Sequence, residues 1–272
     1  MKVKAIFTDF DGTIFVDNQI SSVDLKALRE IKNRGIRFVI ATGRSIFSLK
    51  RALGDDWLAD YIICSSGAGI IDTDSRKFIY KRYISRKNAI LAAKVLKKAE
   101  IDFMVHELIP ENHKFLYFQR KKSNPDFKRR IALYEDHALP LTDFNKIKDA
   151  TQLLGIIGND KKKYDKIKEQ LPHLKVIRTT SPLDGHHIWI EIFPKDVSKG
   201  HAAKWLSEKM GISQKETLGL GNDFNDIDLL RWTERSYVVP KAPKELTEKY
   251  AVLKVKDKNT LTNLLKILNC YL

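Results

Sequence analysis

The sequence predicts an α/β fold of the doubly wound type, in which an inserted α+β unit interrupts a parallel-sheet core. Short apolar runs alternate with amphipathic segments at both ends of the chain, and this alternation is typical of βαβ units. Polar and glycine-rich residues follow each of the first three runs. Open parallel sheets bind ligands at that edge, so a site is expected there.

The first part of the core is predicted from the pattern of its apolar residues. We expect strands over 3–7, 36–41 and 61–64, and helices over 22–34 and 45–53. Ser22 is the expected cap of the first helix, and Gly35 is expected to end it. Each strand is therefore followed by a helix or a polar loop, as a parallel sheet requires.

From residue 83 the pattern changes to that of an α+β cap. Helices are expected over 86–99, 125–134 and 162–171, and strands over 102–106, 115–118, 153–157, 176–179 and 188–193. The parallel pattern then resumes, with helices expected over 199–210, 223–230 and 259–268 and strands over 217–220 and 237–239. We therefore predict a core of residues 1–82 and 192–272 and a cap of residues 83–191.

Composition limits the class of protein. Of 272 residues, 43% are hydrophobic and 31% are charged, which is typical of a globular chain. No apolar run reaches the length of a membrane span, and the N-terminus does not have the pattern of a signal peptide. Cys64 and Cys270 are far apart in sequence and are interpreted as free thiols, so we expect a cytoplasmic protein without a membrane partner.

The chain is basic, with a formal net charge of +15. Most lysines are scattered, as on a solvated surface. Residues 114–130 differ, because basic residues there alternate with aromatic ones. The preferred interpretation is an edge strand, followed by a pocket for a phosphorylated ligand and, last, by a nucleic-acid site.

The strongest chemical signal is Asp9-Phe10-Asp11-Gly12-Thr13, directly after the first strand. Asp9 is placed to attack phosphorus and form an acyl phosphate. Asp11 is then able to protonate the leaving oxygen and later to deprotonate water. Gly12 allows the backbone to approach a phosphoryl oxygen. An acidic turn is the structural alternative for this segment.

Two weaker signals suggest phosphate binding. Thr42 and Gly43 follow the second strand and precede a helix, which suits a phosphate cradle but also an ordinary cap. Lys199 opens a later helix and would neutralise a phosphoryl group. Arg44 fits a substrate contact and a solvated helix start equally well. Alone, each of these signals is weak.

The fourth signal is Gly221-Asn222-Asp223-Phe224-Asn225-Asp226, where an apolar strand runs into a loop rich in oxygen ligands. With Asp9 and Asp11, this loop suits Mg²⁺, which prefers oxygen ligands. The alternatives are a calcium-like turn and a purely structural turn rich in Asp and Asn. The adjacent His186 and His187 would point to opposite faces of a strand, so they are not predicted to form a metal pair.

In order and spacing, the four motifs resemble those of the haloacid dehalogenase superfamily, and the cap resembles that of its Cof-type, subfamily IIB branch. Ser65-Ser66-Gly67-Ala68 is similar to a stretch that follows the second motif there. The resemblance implies Asp9 and Asp11 as catalytic residues. It implies phosphate binding by Gly12, Thr42, Gly43, Lys199 and Asn225. It implies Mg²⁺ binding by Asp9, Asp11, Asn222 and Asp223.

The resemblance also implies a Mg²⁺-dependent phosphatase acting on a small phosphorylated metabolite, such as a sugar phosphate. One position departs from the family pattern, because Asn222 replaces the usual metal carboxylate. Either Asn222 or Asp223 would then complete the metal site. The alternatives are a sugar phosphomutase or phosphotransferase, a nucleic-acid-binding protein, and a non-catalytic regulator; the oligomeric state is open.

Overall fold

The computed structural model describes residues 2–120, 124–181, 183–185, 187–254 and 259–269. The chain divides into two compact units. The first unit comprises residues 1–44, 49–80 and 198–272, and the second comprises residues 45–48 and 81–197. No helix in the described part of the chain is both long and apolar enough to cross a membrane. Cys64 is a buried free thiol, as predicted, and Cys270 lies outside the described residues.

The strands and helices alternate along most of the chain. In chain order the strands are β1 (Ala5–Thr8), β2 (Arg37–Ala41), β3 (Tyr61–Cys64), β4 (Gly69–Asp72), β5 (Lys77–Lys81), β6 (Asp102–His106), β7 (Phe115–Phe118), β8 (Ala138–Pro140), β9 (Leu153–Ile157), β10 (Leu174–Thr180), β11 (Ile188–Pro194), β12 (Thr217–Gly221), β13 (Arg235–Val238) and β14 (Ala251–Val252). The helices are α1 (Ser22–Asn33), α2 (Ile46–Leu53), α3 (Arg86–Lys98), α4 (Pro125–Ala132), α5 (Lys161–Gln170), α6 (Lys199–Met210), α7 (Ile227–Trp232), α8 (Lys244–Thr247) and α9 (Thr260–Asn269).

The first unit contains a sheet with the strand order β14-β13-β12-β1-β2-β3-β4-β5. From β14 to β3 the neighbouring strands are parallel, which confirms the predicted α/β core. The residues of β1 are fully buried, and β1 lies between β2 and β12. The chain therefore reverses its direction of winding at β1, and ligands bind at such switch points.

The core differs from its prediction in several elements. Strands β4 and β5 were not predicted, and β4 pairs antiparallel with β3. The first helix is capped by Ser21, whose hydroxyl accepts the Asp24 N–H, so Ser22 lies inside the helix. Residues 223–230 do not form one helix, because a 3-10 turn at Phe224–Asp226 precedes α7. Strand β13 begins two residues before the predicted strand at 237.

The second unit contains a sheet with the strand order β10-β11-β9-β6-β7-β8. Its pairs are antiparallel, apart from the parallel pair of β7 and β8. One face packs against α3 and α5 through a cluster that includes Leu96 and Ile167. The other face packs against α4 through Phe127 and Trp189. This arrangement is the α+β unit that the sequence predicted.

The basic segment 114–130 does not form an edge strand. Strand β7 lies between β6 and β8, so the preferred interpretation was wrong. The Arg120 guanidinium pairs with the buried carboxylate of Asp102, 3.2 Å away. The Arg130 guanidinium lies over the ring of Tyr134, 4.5 Å from its centroid. These two cations therefore stabilise the unit itself, while residues 121–123 lie outside the described residues.

Candidate active site

Three polar segments converge at one edge of the first sheet. Asp9 follows β1, Thr42 follows β2, and Asn222 follows β12. Thr8 is in register with Ile40 on one side and Leu220 on the other. The Asp9 N–H donates to the carbonyl oxygen of Leu220 at 2.8 Å, which continues the pairing past the end of β1. The parallel register therefore brings the first, second and fourth motifs together.

A buried ion-pair cluster lies at this edge. The Lys199 Nζ atom is 2.6 Å from Asp9 Oδ1 and 2.6 Å from Asp226 Oδ1. The Lys199 side chain is 0% exposed and the Asp9 side chain is 7% exposed. Ser198 caps α6 by accepting the His201 N–H, and so fixes the turn from which Lys199 extends. The cluster joins the first, third and fourth motifs.

Burial determines the proton affinities in this cluster. Burial raises the pKa of Asp9 to about 7; the ammonium of Lys199 opposes this rise, and the Asp226 carboxylate adds to it. Burial alone would lower the pKa of Lys199, but the carboxylates of Asp226 and Asp9 outweigh it and raise the pKa. One ammonium group between two carboxylates leaves an excess negative charge, which favours a proton or a cation at Asp9.

The second oxygen of Asp9 and the carboxylate of Asp11 have separate partners. The Thr13 hydroxyl donates to Asp9 Oδ2 at 2.8 Å. Gly12 has a φ of +71°, which turns the chain between the two residues. The Asp11 carboxylate accepts from the guanidinium of Arg44 instead. The two carboxylates of the first motif are therefore anchored independently.

The second motif forms a compact turn. Thr42 is fully buried, and its hydroxyl oxygen accepts the Arg44 N–H at 3.1 Å. The Ser66 N–H donates to the Thr42 carbonyl at 3.0 Å. In the same 65–67 turn, Gly67 has a φ of +107°, and a Cβ there would lie 2.3 Å from the carbonyl oxygen of Ser198. Gly67 therefore permits the close approach of this turn to the start of α6.

The fourth motif is built around Asp226. Its Oδ2 accepts the N–H groups of Asn222 at 2.8 Å and Asp223 at 3.1 Å, while its Oδ1 faces Lys199. The Asp223 side chain accepts the Asp226 N–H in return, which forms a capping box. The Asn222 Nδ2 donates to the backbone carbonyl of Asp11 at 2.7 Å. Asn222 therefore reaches the first motif, whereas the Asp223 carboxylate is engaged within its own turn.

The donor set fits a magnesium ion. The Asp9 carboxylate, the Asp11 carbonyl and the amide oxygen of Asn222 are all hard oxygen ligands, the type that Mg²⁺ binds. Asn222 already lies against the Asp11 carbonyl, and a turn about its last side-chain bond exchanges its nitrogen and oxygen. The excess negative charge beside Lys199 also favours a cation. The residues present are therefore compatible with Mg²⁺ at this edge.

The structure adds Asp226 and Thr13 to the predicted site, and it brings in Arg44, for which a substrate contact and a solvated helix start were both open. Asp226, Thr13 and Arg44 contact the carboxylates or the ammonium group of the site, and all three lie within or beside the motifs. In the described part of the chain, no hydrogen bond joins Asn225 to the Asp9–Lys199–Asp226 cluster; Asn225 lies in the 3-10 turn. The shared motif position was the available signal for Asp226.

A second group of potential metal ligands lies in the second unit. Asp126, Asp184 and His187 place one ligand atom each within 4.8 Å of one another. The Asp126 carboxylate is already paired, with the Trp189 Nε1–H at 2.6 Å and with the Arg129 guanidinium at 3.4 Å. These contacts explain the group as a structural network. His186 lies outside the described residues.

Comparison with known proteins identifies the family. The haloacid dehalogenase-like hydrolase family matches residues 6–265. An uncharacterised protein of Mycoplasma capricolum is 30% identical over 83% of this chain and 86% of its own length. The 5-amino-6-(5-phospho-D-ribitylamino)uracil phosphatase YwtE of Bacillus subtilis is 28% identical over 94% of this chain and 95% of its own.

A solved structure has a similar fold. The solved structure of BT4131, described as a HAD subclass IIB sugar phosphatase, superposes with a TM-score of 0.76 at 20% identity, over 99% of each chain. This likeness covers the sheets of both units. The match of the family model over residues 6–265 confirms the family expected from the four motifs, and the chain belongs to the haloacid dehalogenase-like hydrolases.

Proposed function

We propose that this hydrolase is a Mg²⁺-dependent phosphatase that acts on a small phosphorylated metabolite through an aspartyl-phosphate on Asp9. The observation that supports this most is the buried Asp9, fixed by Lys199 at 2.6 Å and by the Thr13 hydroxyl at 2.8 Å. A carboxylate held from both sides at a switch point is preorganised as a nucleophile. The relatives named as phosphatases support the same reaction.

In the first step, an oxygen of Asp9 attacks the phosphorus atom and the bond to the leaving oxygen breaks. The Thr42 hydroxyl accepts a backbone N–H, which leaves its own proton available to a phosphoryl oxygen. Lys199 stabilises the negative charge on the transferring group. Gly12, Gly43 and Asn225 are assigned to the phosphoryl group by their motif positions. Asp11 supplies a proton to the leaving oxygen.

In the second step, water attacks the phosphorus of phospho-Asp9. The Asp11 carboxylate takes a proton from that water, the bond between phosphorus and Asp9 breaks, and inorganic phosphate leaves. Asp9 is then a carboxylate again and faces Lys199. The pair of steps consumes one water and returns both carboxylates to their starting state.

The Asp9 carboxylate, the Asp11 carbonyl and the Asn222 amide oxygen would hold Mg²⁺. When bound, Mg²⁺ supplies charge neutralisation at the phosphoryl oxygens. We assign the third ligand to Asn222 rather than Asp223, because Asn222 lies 2.7 Å from the Asp11 carbonyl while Asp223 caps its own turn.

Replacing Asn222 with Asp is expected to tighten Mg²⁺ binding about tenfold or more, because a charged ligand replaces a neutral one. Without metal, the same change loses the hydrogen bond to Asp11 and adds negative charge beside Asp9. Calorimetric Mg²⁺ titration and the Mg²⁺-induced rise in melting temperature measure both effects. Asn225→Asp adds the same charge in the same turn and serves as the control. Equal tightening in both variants would show that Asn222 is not a ligand.

We propose a phosphorylated sugar or sugar alcohol as the substrate, and the names of two similar proteins support this class. The test is phosphate release by the wild-type chain from a panel of such phosphates, with Mg²⁺ and with a chelator. Release that requires Mg²⁺ is the expected result. Formation of an isomeric sugar phosphate without free phosphate would indicate a mutase instead. No turnover by folded protein in ample Mg²⁺ would contradict the proposal.

A further inference from the structure

Arg44 makes a two-pronged contact with the carboxylate of Asp11. Its Nε atom is 3.1 Å from Oδ1 and 2.8 Å from Oδ2, and its Nη2 atom is 2.7 Å from Oδ1. Because guanidinium and carboxylate groups are both planar, this contact fixes their relative orientation and also brings opposite charges together. Asp11 is 41% exposed and Arg44 is 26% exposed, so charge attraction alone would be weak here.

The guanidinium of Arg44 is itself fixed. Its central carbon lies 5.5 Å from the ring centroid of Phe10 and 5.4 Å from that of Phe15. These two buried rings are stacked, with centroids 4.6 Å apart. The Arg44 backbone is held as well, since its carbonyl accepts the Ser65 N–H at 2.9 Å. Aromatic rings and backbone contacts thus restrict the side chain before it meets Asp11.

This arrangement determines the orientation of Asp11. The turn at Gly12 leaves the Asp11 side chain half exposed, and in such a position a carboxylate ordinarily samples several rotamers. Asp9 does not restrict it, because the Asp9 oxygens are bound to Lys199 and Thr13. The fork of Arg44 engages both oxygens of Asp11 and so fixes the plane of the Asp11 carboxylate.

We propose that Arg44 is a positioning residue for the second half of the reaction, in which the Asp11 carboxylate accepts a proton from the attacking water. This inference rests on the proposed function. In that half, the water oxygen bonds to phosphorus, its proton passes to Asp11, and the bond from phosphorus to Asp9 breaks. The first half with an aryl phosphate needs no proton from Asp11, because an aryl oxide leaves unaided.

The test is steady-state and rapid-mixing kinetics of Arg44→Met and Arg44→Lys with para-nitrophenyl phosphate and saturating Mg²⁺. For Arg44→Met we expect kcat to fall about 10- to 100-fold, the cost of a misplaced catalytic group. We expect kcat/KM to change by less than about threefold, because that ratio reports the first half. KM falls with kcat, and a burst of about one nitrophenolate per chain appears as phospho-Asp9 accumulates.

Arg44→Lys keeps the charge but lacks the fork, and it should show the same pattern to a smaller degree. Arg34→Met is the matched control; Arg34 pairs with Glu30 at 2.9 Å on the surface, and its loss should leave kcat and the burst unchanged. An unaltered kcat in Arg44→Met, or an equal fall of kcat and kcat/KM without a burst, would overturn the assignment. A wild-type chain that releases no phosphate would count against the proposed function instead.

Discussion

Replacing Asp9 with Asn is expected to abolish phosphatase activity, with kcat falling by a factor of at least about 10³. The amide cannot form the acyl phosphate, while its shape is nearly that of the carboxylate. Its oxygen still accepts from Lys199, and its nitrogen is able to donate to the Thr13 hydroxyl. The fold should therefore survive. Phosphate release from a sugar phosphate in saturating Mg²⁺ measures the loss.

The Asp9→Asn substitution also tests how Asp9 affects the stability of the fold. Burial raises the pKa of Asp9 from 3.8 to about 7. Between these values the folded chain retains a proton that the unfolded chain has released, so the free energy of unfolding falls as pH rises. The amide in the Asp9→Asn variant does not titrate. In a chelator, the variant should therefore lose less stability than wild type between pH 4 and pH 7, as urea unfolding would show.

Two results would contradict this account of Asp9. Residual turnover close to the wild-type rate would remove Asp9 as the nucleophile. A melting temperature that drops sharply in the variant would show that Asp9 is needed for folding, and activity loss would then carry no mechanistic information. Ser48→Ala is the control, a small polar change at another partly buried position, in α2. It shows how much activity and melting temperature change when the substitution does not involve Asp9.

The strand ends that carry the motifs were predictable because two local signals agree there. Apolar runs of strand length end at Asp9, Thr42 and Gly221, and the residues that follow belong to recognisable motifs. The role of Asp226 was less visible, because it arises from a contact with Lys199, 27 residues away in sequence. Such a contact depends on the tertiary fold, so the periodicity of the sequence does not predict it.

The contact of Arg44 with Asp11 was also not predictable from the local sequence. Its sequence position fits a solvated helix start, and only the stacked rings of Phe10 and Phe15 direct it towards Asp11. Strands β8 and β14 were missed for a different reason. They have three and two residues, and runs this short do not establish an alternation. Pairing with β7 and β13 stabilises them, and pairing partners are not written in the local sequence.

Replacing Lys199 with Met should be the most destabilising change at the site, with a loss of about 3–5 kcal/mol at neutral pH. Lys199 is fully buried between two carboxylates, each 2.6 Å from its Nζ atom. Methionine fills much of the same volume without the charge, so Asp9 and Asp226 face each other unpaired. Activity should fall as well, because the phosphoryl group loses its cation. Urea unfolding measures the first effect and phosphate release the second.

The matched control is Lys4→Met. Lys4 Nζ also lies 2.6 Å from a carboxylate, that of Glu216, but its side chain is 54% exposed. Water screens that pair, and its loss should cost less than about 1 kcal/mol. Equal losses at the two lysines would show that burial does not set the strength of the Lys199 cluster.

The pH dependence and a second substitution identify the cause of the Lys199→Met loss. The ammonium of Lys199 opposes the rise of the Asp9 pKa, so without it the folded variant keeps a proton above pH 7, where folded wild type has released it. Above pH 7 the free energy of unfolding of the variant therefore falls further as pH rises, and the deficit relative to wild type should be smaller at pH 7 than at pH 9. Adding Asp226→Asn removes one of the charges and should restore a large part of the stability. A deficit that is independent of pH and unaffected by Asp226→Asn would point to lost packing at the start of α6 rather than to charge.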